Sequence, residues 1–224
     1  MSYQMTKEQK AYLSVKRFLD IFICLPVCIL LAPFMLMFAI AIKIDSPGPI
    51  LFKQKRVGKN KELFEIWKFR TMRIDTPKNM PTHMLRNPEA FITKTGKLYR
   101  KLSIDELPQI YQCLFTNHLS LVGPRPALWN QDDLIAERDK YGANDVKPGI
   151  TGWAQINGRD ELEIPVKAKL DGDYVKNIGF NMDAKCFFGT FKSVLRSDGI
   201  VEGGTGEMKK RTNINYEKSS NNRS

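Results

Sequence analysis

The feature that most limits how this chain can fold is an apolar run from Ile21 to Ile42, IFICLPVCILLAPFMLMFAIAI, which holds two prolines. A helix needs roughly 20 such residues to cross a hydrocarbon core of about 30 Å, so the run has the length of one span. Pro26 and Pro33 each remove a backbone donor and crowd the preceding turn, so both predict a bend. Lipid offers nothing to a freed carbonyl, so a break persists there only where some other group satisfies it. Lys16 and Arg17 precede the run and Lys43 follows it. Positive charge at both ends names no outward side, because Lys and Arg favour the cytoplasmic one. Two arrangements remain: a re-entrant helical hairpin bent near Pro33, with both ends at one leaflet, or a tilted single span with a kink. A cleaved signal peptide is not expected, since the run is too long and no small-residue cleavage site follows it.

Outside that run the chain is polar and basic. Its 224 residues include 35 Lys and Arg against 24 Asp and Glu, a formal charge of +11. Such an excess favours anionic partners: nucleic acid, an anionic leaflet or phosphorylated small molecules. The length suits one membrane element and one modest domain. Residues 1–45 are expected to form the N-terminal segment and membrane element, 46–200 the globular domain, and 201–224 a polar, mobile tail. Cys24, Cys28, Cys113 and Cys186 show no CxxC spacing and read as reduced thiols. With His83 and His118 the only histidines, a His-based zinc site or nucleophile relay has little material.

Ser46-Pro47-Gly48-Pro49 must end the membrane helix. Ile50–Val57 and Leu63–Arg70 read as short strands joined by a turn over 57–62, a β-hairpin. Residues 73–95 are polar and read as a long surface loop, a length that is usually functional. Helices are expected over Leu107–Leu114, Trp129–Tyr141, Val166–Val175 and Asp183–Leu195, with a tight turn region over Lys147–Arg159 between the second and third. The fold class is α+β, mostly α: a helix–break–helix membrane element, a small hairpin, and a compact helical domain with amphipathic surface helices.

The candidate site is Ser103-Ile104-Asp105-Glu106-Leu107-Pro108-Gln109. Adjacent acids on a helix point apart, so Asp105 and Glu106 suit two separate tasks rather than one shared proton. Ser103 with Glu106 also spells a capping box, a purely structural alternative. Pro108 opposes that register and instead suits the first turn of a helix starting just after Asp105. Basic residues surround the motif. Arg100 lies five positions before Asp105, and Arg125 sits between Pro124 and Pro126, where a stiff backbone would lower the ordering cost of gripping phosphate. Lys68, Arg70 and Arg159 add charge. No GxxxxGK[ST] sequence is present, nor a GxGxxG after a strand.

Several stretches, taken in order, carry a resemblance. They are Lys16-Arg17-Phe18-Leu19-Asp20, Ser46-Pro47-Gly48-Pro49, Phe52-Lys53-Gln54-x-Arg56-Val57-Gly58, Lys68-Phe69-Arg70-Thr71-Met72, Ser103 to Gln109, Val122 to Pro126, and Pro148-Gly149-x-Thr151-Gly152-Trp153-Ala154-Gln155 with Arg159. From about Lys16 to Leu195 the chain resembles the monotopic phosphoglycosyl transferases, bacterial sugar transferases that begin capsule, exopolysaccharide, O-antigen and glycoprotein glycan assembly. The resemblance implies a re-entrant helix with both ends cytoplasmic, and so a protein on the cytoplasmic face of the cell membrane, at its inner leaflet. It implies transfer of a sugar 1-phosphate from a UDP-sugar to a polyprenyl (undecaprenyl) phosphate, with release of UMP. It implies Asp105 as nucleophile, Glu106 as its partner, Arg100 and Arg125 on phosphate, and Mg²⁺ held through Asp105 or Glu106. Nucleic acid is then no partner, and a homodimer is compatible with the chain without being required.

Two departures stand out. The family commonly continues Asn-Val-Leu-x-Gly-Asp-Met-Ser, whereas Gln112 to Ser120 here is one residue longer and lacks the acid. A Ser-Pro break is usual in the membrane helix, and this chain has Ala32-Pro33. The competing class is a basic, membrane-anchored binding module for anionic lipid or nucleic acid. It needs no Asp-Glu pair and predicts steep salt dependence without turnover.

Overall fold

Thr6 opens the first helix through a reciprocal cap: its hydroxyl accepts from Gln9 N (3.2 Å), and the Gln9 side chain accepts from Thr6 N (2.9 Å). In the computed structural model, which describes residues 3–76, 88–158 and 162–196, this helix (α1) runs from Lys7 to Asp45. It is continuous through Pro26 and Pro33 where a helix–break–helix was expected. A proline removes only the bond from its own nitrogen, and the turns on either side still hold their own. Among the described residues α1 is the one helix long and apolar enough to cross a membrane.

One side of α1 packs on the rest of the protein along nearly its whole length. Lys16, Asp20, Cys24, Cys28 and Ile42 are buried, and Met35, Phe38 and Ala39 pack beside Ile42. At 100° per residue these positions share one face. Phe18, Phe22, Leu25, Ile29, Leu36 and Ile40 form the opposite, exposed apolar face. Polar groups fasten both halves. Asp20 accepts from Ser120 Oγ (2.7 Å) and Leu121 N (3.1 Å), and Arg17 donates to the carbonyls of Cys113 (2.7 Å) and Thr116 (3.0 Å). Beyond both prolines, Phe38 O accepts from Tyr99 OH (3.1 Å) and Asp45 accepts from Thr95 N (2.9 Å).

The hairpin is present: β1 (Leu51–Val57) pairs antiparallel with β2 (Leu63–Phe69), Leu51 opposite Phe69 and Val57 opposite Leu63. Phe64 and Ile66 alternate inward onto Leu119. Before the hairpin, Arg70 donates to the carbonyls of Ser46 (2.6 Å) and Pro47, clamping the turn that leaves α1. Gly48, at φ +120°, allows this, because a Cβ there would lie 2.2 Å from Arg70 Nη1.

Next come α2 (Lys94–Lys101), a 3₁₀ turn over Ile104–Glu106, and α3 (Pro108–Phe115). The strand β3 (Ser120–Val122) pairs in parallel with β4 (Gly149–Thr151), across α4 (Asp132–Asp139). The described residues end with α5 (Trp153–Ile156), α6 (Ile164–Lys176) and α7 (Phe180–Arg196). The α+β class therefore holds, with a second, parallel strand pair that joins the segment before α4 to the tight region over Lys147–Arg159. A helix also begins at Lys94, in the tail of the expected loop, where Thr93 Oγ1 accepts from Gly96 N (3.0 Å). Val122, Ala143, Val146, Tyr174, Val175, Ile178 and Cys186 form one core, and Ile42, Phe69 and Tyr99 a second where α1, β2 and α2 meet. All four cysteines are free and buried. Residues 77–87, Arg159 and the tail lie outside the described residues.

Candidate active site

The chain reaches Asp105 through a sharp local turn. Ser103 takes the left-handed conformation (φ 55°), and its side chain makes no capping hydrogen bond. The capping box between Ser103 and Glu106 is therefore absent. Pro108 instead occupies the first turn of α3, where a missing N–H matters least. Asp105 and Glu106 thus stand in a short 3₁₀ turn ahead of α3.

Glu106 collects cations. Its Oε1 accepts from Lys68 Nζ on β2 (2.8 Å) and from Arg125 Nη2 (2.7 Å), with Arg125 Nη1 at 3.5 Å from Oε2. Arg100 projects from the last turn of α2 and donates through Nε to Thr71 Oγ1 (2.9 Å). Asp105 lies within the field of the same groups. Burial pushes its carboxyl up from the ordinary value and Glu106 adds to that, while Lys68, Arg100 and Arg125 oppose the rise. A carboxylate available for reaction, beside a fixed set of cations, can approach an anionic phosphorus that it would otherwise repel.

Two supports shape this set. Gln112 of α3 acts like a neighbouring strand for β2: its Oε1 accepts from Trp67 N (3.0 Å) and its Nε2 donates to Glu65 O (2.5 Å). That fixes the start of α3 against the strand carrying Lys68. The second support is the mount of Arg125. Gly149 N donates to Pro124 O (3.0 Å), Arg138 Nη2 to Arg125 O (2.9 Å) and Arg56 Nη1 to Pro126 O (3.1 Å). Gly149 passes so close that a Cβ would lie 2.0 Å from Gly123 N. Thr71, Gln112 and Arg138 escaped the sequence reading, because nothing local marks a side chain whose partner lies 13 to 47 positions away.

Of the expected phosphate ligands, Lys68, Arg100 and Arg125 gather around Asp105. Arg70 does not: it is buried, and its guanidinium holds the Ser46 and Pro47 carbonyls. Pro26 and Pro33 lie inside α1, and the next turn of that helix packs with Ile104 through Met35, Phe38 and Ala39. No group of three His, Cys, Asp or Glu is placed to hold a metal ion among the described residues. A cavity of about 440 Å³ between α1 and the hairpin tip, lined by Arg17, Lys59 and Lys147, does not include Asp105.

The site is thus a carboxylate set among cations, on a domain packed along one apolar helix. The chain belongs to the bacterial sugar transferase family, whose model matches residues 11–197. It is 44% identical over 168 residues to the uncharacterized sugar transferase EpsL of Bacillus subtilis (strain 168), covering 75% of this chain and 81% of that one. It is 35% identical over 196 residues to the UDP-N-acetylgalactosamine-undecaprenyl-phosphate N-acetylgalactosaminephosphotransferase of Aeromonas hydrophila, covering 84% of this chain and 45% of the relative. Identity is also 35%, over 187 residues, to the UDP-glucose:undecaprenyl-phosphate glucose-1-phosphate transferase of Escherichia coli (strain K12), with 78% and 39% covered. The chain thus spans most of the shorter relative and less than half of the two longer ones.

Proposed function

We propose that this protein transfers a sugar 1-phosphate from a UDP-sugar to undecaprenyl phosphate, in two displacements through Asp105. The observation carrying the proposal is the placement of Asp105 beside Glu106 and within the field of Lys68, Arg100 and Arg125. In the first displacement an Asp105 oxygen attacks the phosphorus that bears the sugar. The bond from that phosphorus to the bridging oxygen breaks, UMP leaves, and a phosphosugar-aspartyl ester remains. In the second, a phosphate oxygen of undecaprenyl phosphate attacks the same phosphorus, and the Asp105 carboxylate is released. Covalent storage lets a soluble donor and a lipid acceptor use one site in turn. Arg100 and Arg125 hold the donor diphosphate, and Glu106 keeps Lys68 and Arg125 beside it.

Mg²⁺ retains water and is held by one or two carboxylates together with substrate phosphates, a set that Asp105 can join. Glu106 fits that role poorly, since its Oε1 already accepts from two cations. Bound there, the ion would neutralise charge on the diphosphate.

The same reading puts the domain on the cytoplasmic face of the membrane, with both ends of α1 on that one side. Its support is the packing of α1 on a single domain both before Pro26 and after Pro33. That polar domain cannot lie on both sides of a bilayer.

The decisive test is UMP release from a panel of UDP-sugars with undecaprenyl phosphate and Mg²⁺, joined to mass spectrometry of enzyme held with donor alone. A phosphosugar adduct on Asp105 is expected. Folded protein that releases no UMP from any donor, or carries the adduct elsewhere, contradicts the proposal.

A further inference from the structure

Arg138 and Asp171 form a buried ion pair away from the reacting carboxylate. Arg138 lies in the last turn of α4 and is 4% exposed; Asp171 lies in α6 and is 1% exposed. Arg138 donates to Asp171 Oδ2 through Nε (2.8 Å) and Nη2 (2.6 Å), and Nη2 also donates to Arg125 O (2.9 Å). Removing two charges from water is expensive, and a well-packed apolar pair often holds two helices equally well. Fastening α4 to α6 therefore does not require these residues. The contact to Arg125 O is what an apolar pair could not make.

That contact falls at a sensitive place. The peptide between Arg125 and Pro126 has no N–H, so its carbonyl is its only hydrogen-bonding group. Turning this peptide turns the backbone of Arg125 and swings its side chain. The flanking carbonyls of Pro124 and Pro126 are held by Gly149 and Arg56. Arg138 thus completes a continuous path: Asp171, Arg138, the Arg125 carbonyl, the Arg125 guanidinium, and Glu106 beside Asp105.

We propose that Arg138, oriented by Asp171, is a positioning residue that fixes the Arg125–Pro126 peptide and so aims the Arg125 guanidinium at the donor diphosphate. This rests on the phosphoryl-transfer reading above. Misplacing a substrate-holding group by about 1 Å can cost roughly a hundredfold in rate.

The test compares the wild type with the paired variant Arg138→Met/Asp171→Leu, which keeps apolar packing and lacks the carbonyl contact. Arg138→Lys serves as a second variant, because an ammonium lacks the planar fork that spans both partners. Thermal melting establishes folding, and each is also made with Arg125→Ala. Expected are a cooperative melt no more than several degrees below the wild type, kcat for UMP release lower by about 10- to 100-fold, and a much smaller loss from Arg125→Ala than in the wild type. The Arg125 Nε–H resonance, labelled with ¹⁵N in detergent, should shift or broaden in the same variants whether or not turnover occurs. A folded variant with native kcat, an undiminished Arg125→Ala effect and an unmoved Arg125 resonance overturns the proposal. A wild type inert toward every donor contradicts the transferase reading instead, and the resonance then still decides the positioning role.

Discussion

Asp105 carries opposing demands. The proposed reaction needs its carboxylate, while burial favours the neutral acid and raises its pKa in the folded state. A raised folded value means the native protein binds more protons than the unfolded chain as pH climbs, so stability is lost through that window. Asn at this position has no such loss. Asp105→Asn should therefore melt higher than the wild type at neutral pH, and the two should converge below the ordinary carboxylate value of 3.8. The same variant should form no adduct and lose UMP release by about 10⁴-fold or more. Melting curves from about pH 3 to 8, run beside the assay, check both. In the wild type, activity should rise with pH through the Asp105 titration, which begins higher than for a solvated aspartate.

Among elements, Gln112 shows how far the site depends on side chains that imitate backbone. Gln112→Met keeps the volume but leaves Trp67 N–H and Glu65 C=O without their partner. An unsatisfied buried polar group costs about 1–3 kcal/mol, so the melting temperature should fall by several degrees. The hairpin was legible because two short strand-like runs, Ile50–Val57 and Leu63–Arg70, flank a turn over 57–62. The start of α3 was legible because Pro108 tolerates only an early helical position. The β3–β4 pair was not, since each strand has three residues and their register comes from Gly149 approaching Gly123. Arg70 and Arg125 were both expected on phosphate, although only Arg125 sits between prolines. Packing separates them, one closed over a turn and the other held open toward Glu106. Asp105 was chosen from its charged surroundings and the family resemblance; its actual neighbours come from three elements, the hairpin, α2 and the segment after β3.

For the whole molecule the central relation is between α1 and everything else. A straight helix of 39 residues is about 58 Å long, yet contacts to the domain occur at Asp20 and again at Asp45. Single cysteines at Lys10 and Lys53, on either side of the apolar run, should therefore react from the same side with an impermeant maleimide in oriented membrane vesicles. Labelling from opposite sides would rule out an in-and-out arrangement.

Because Ser120, Cys113 and Tyr99 all bond directly to α1, the greasy helix is a structural wall rather than a detachable tether. Trimming it to obtain a water-soluble enzyme would open the interior instead of freeing a finished catalyst. The same union ties the height of the Asp105 turn to that of the helix, like a tool clamped to its bench.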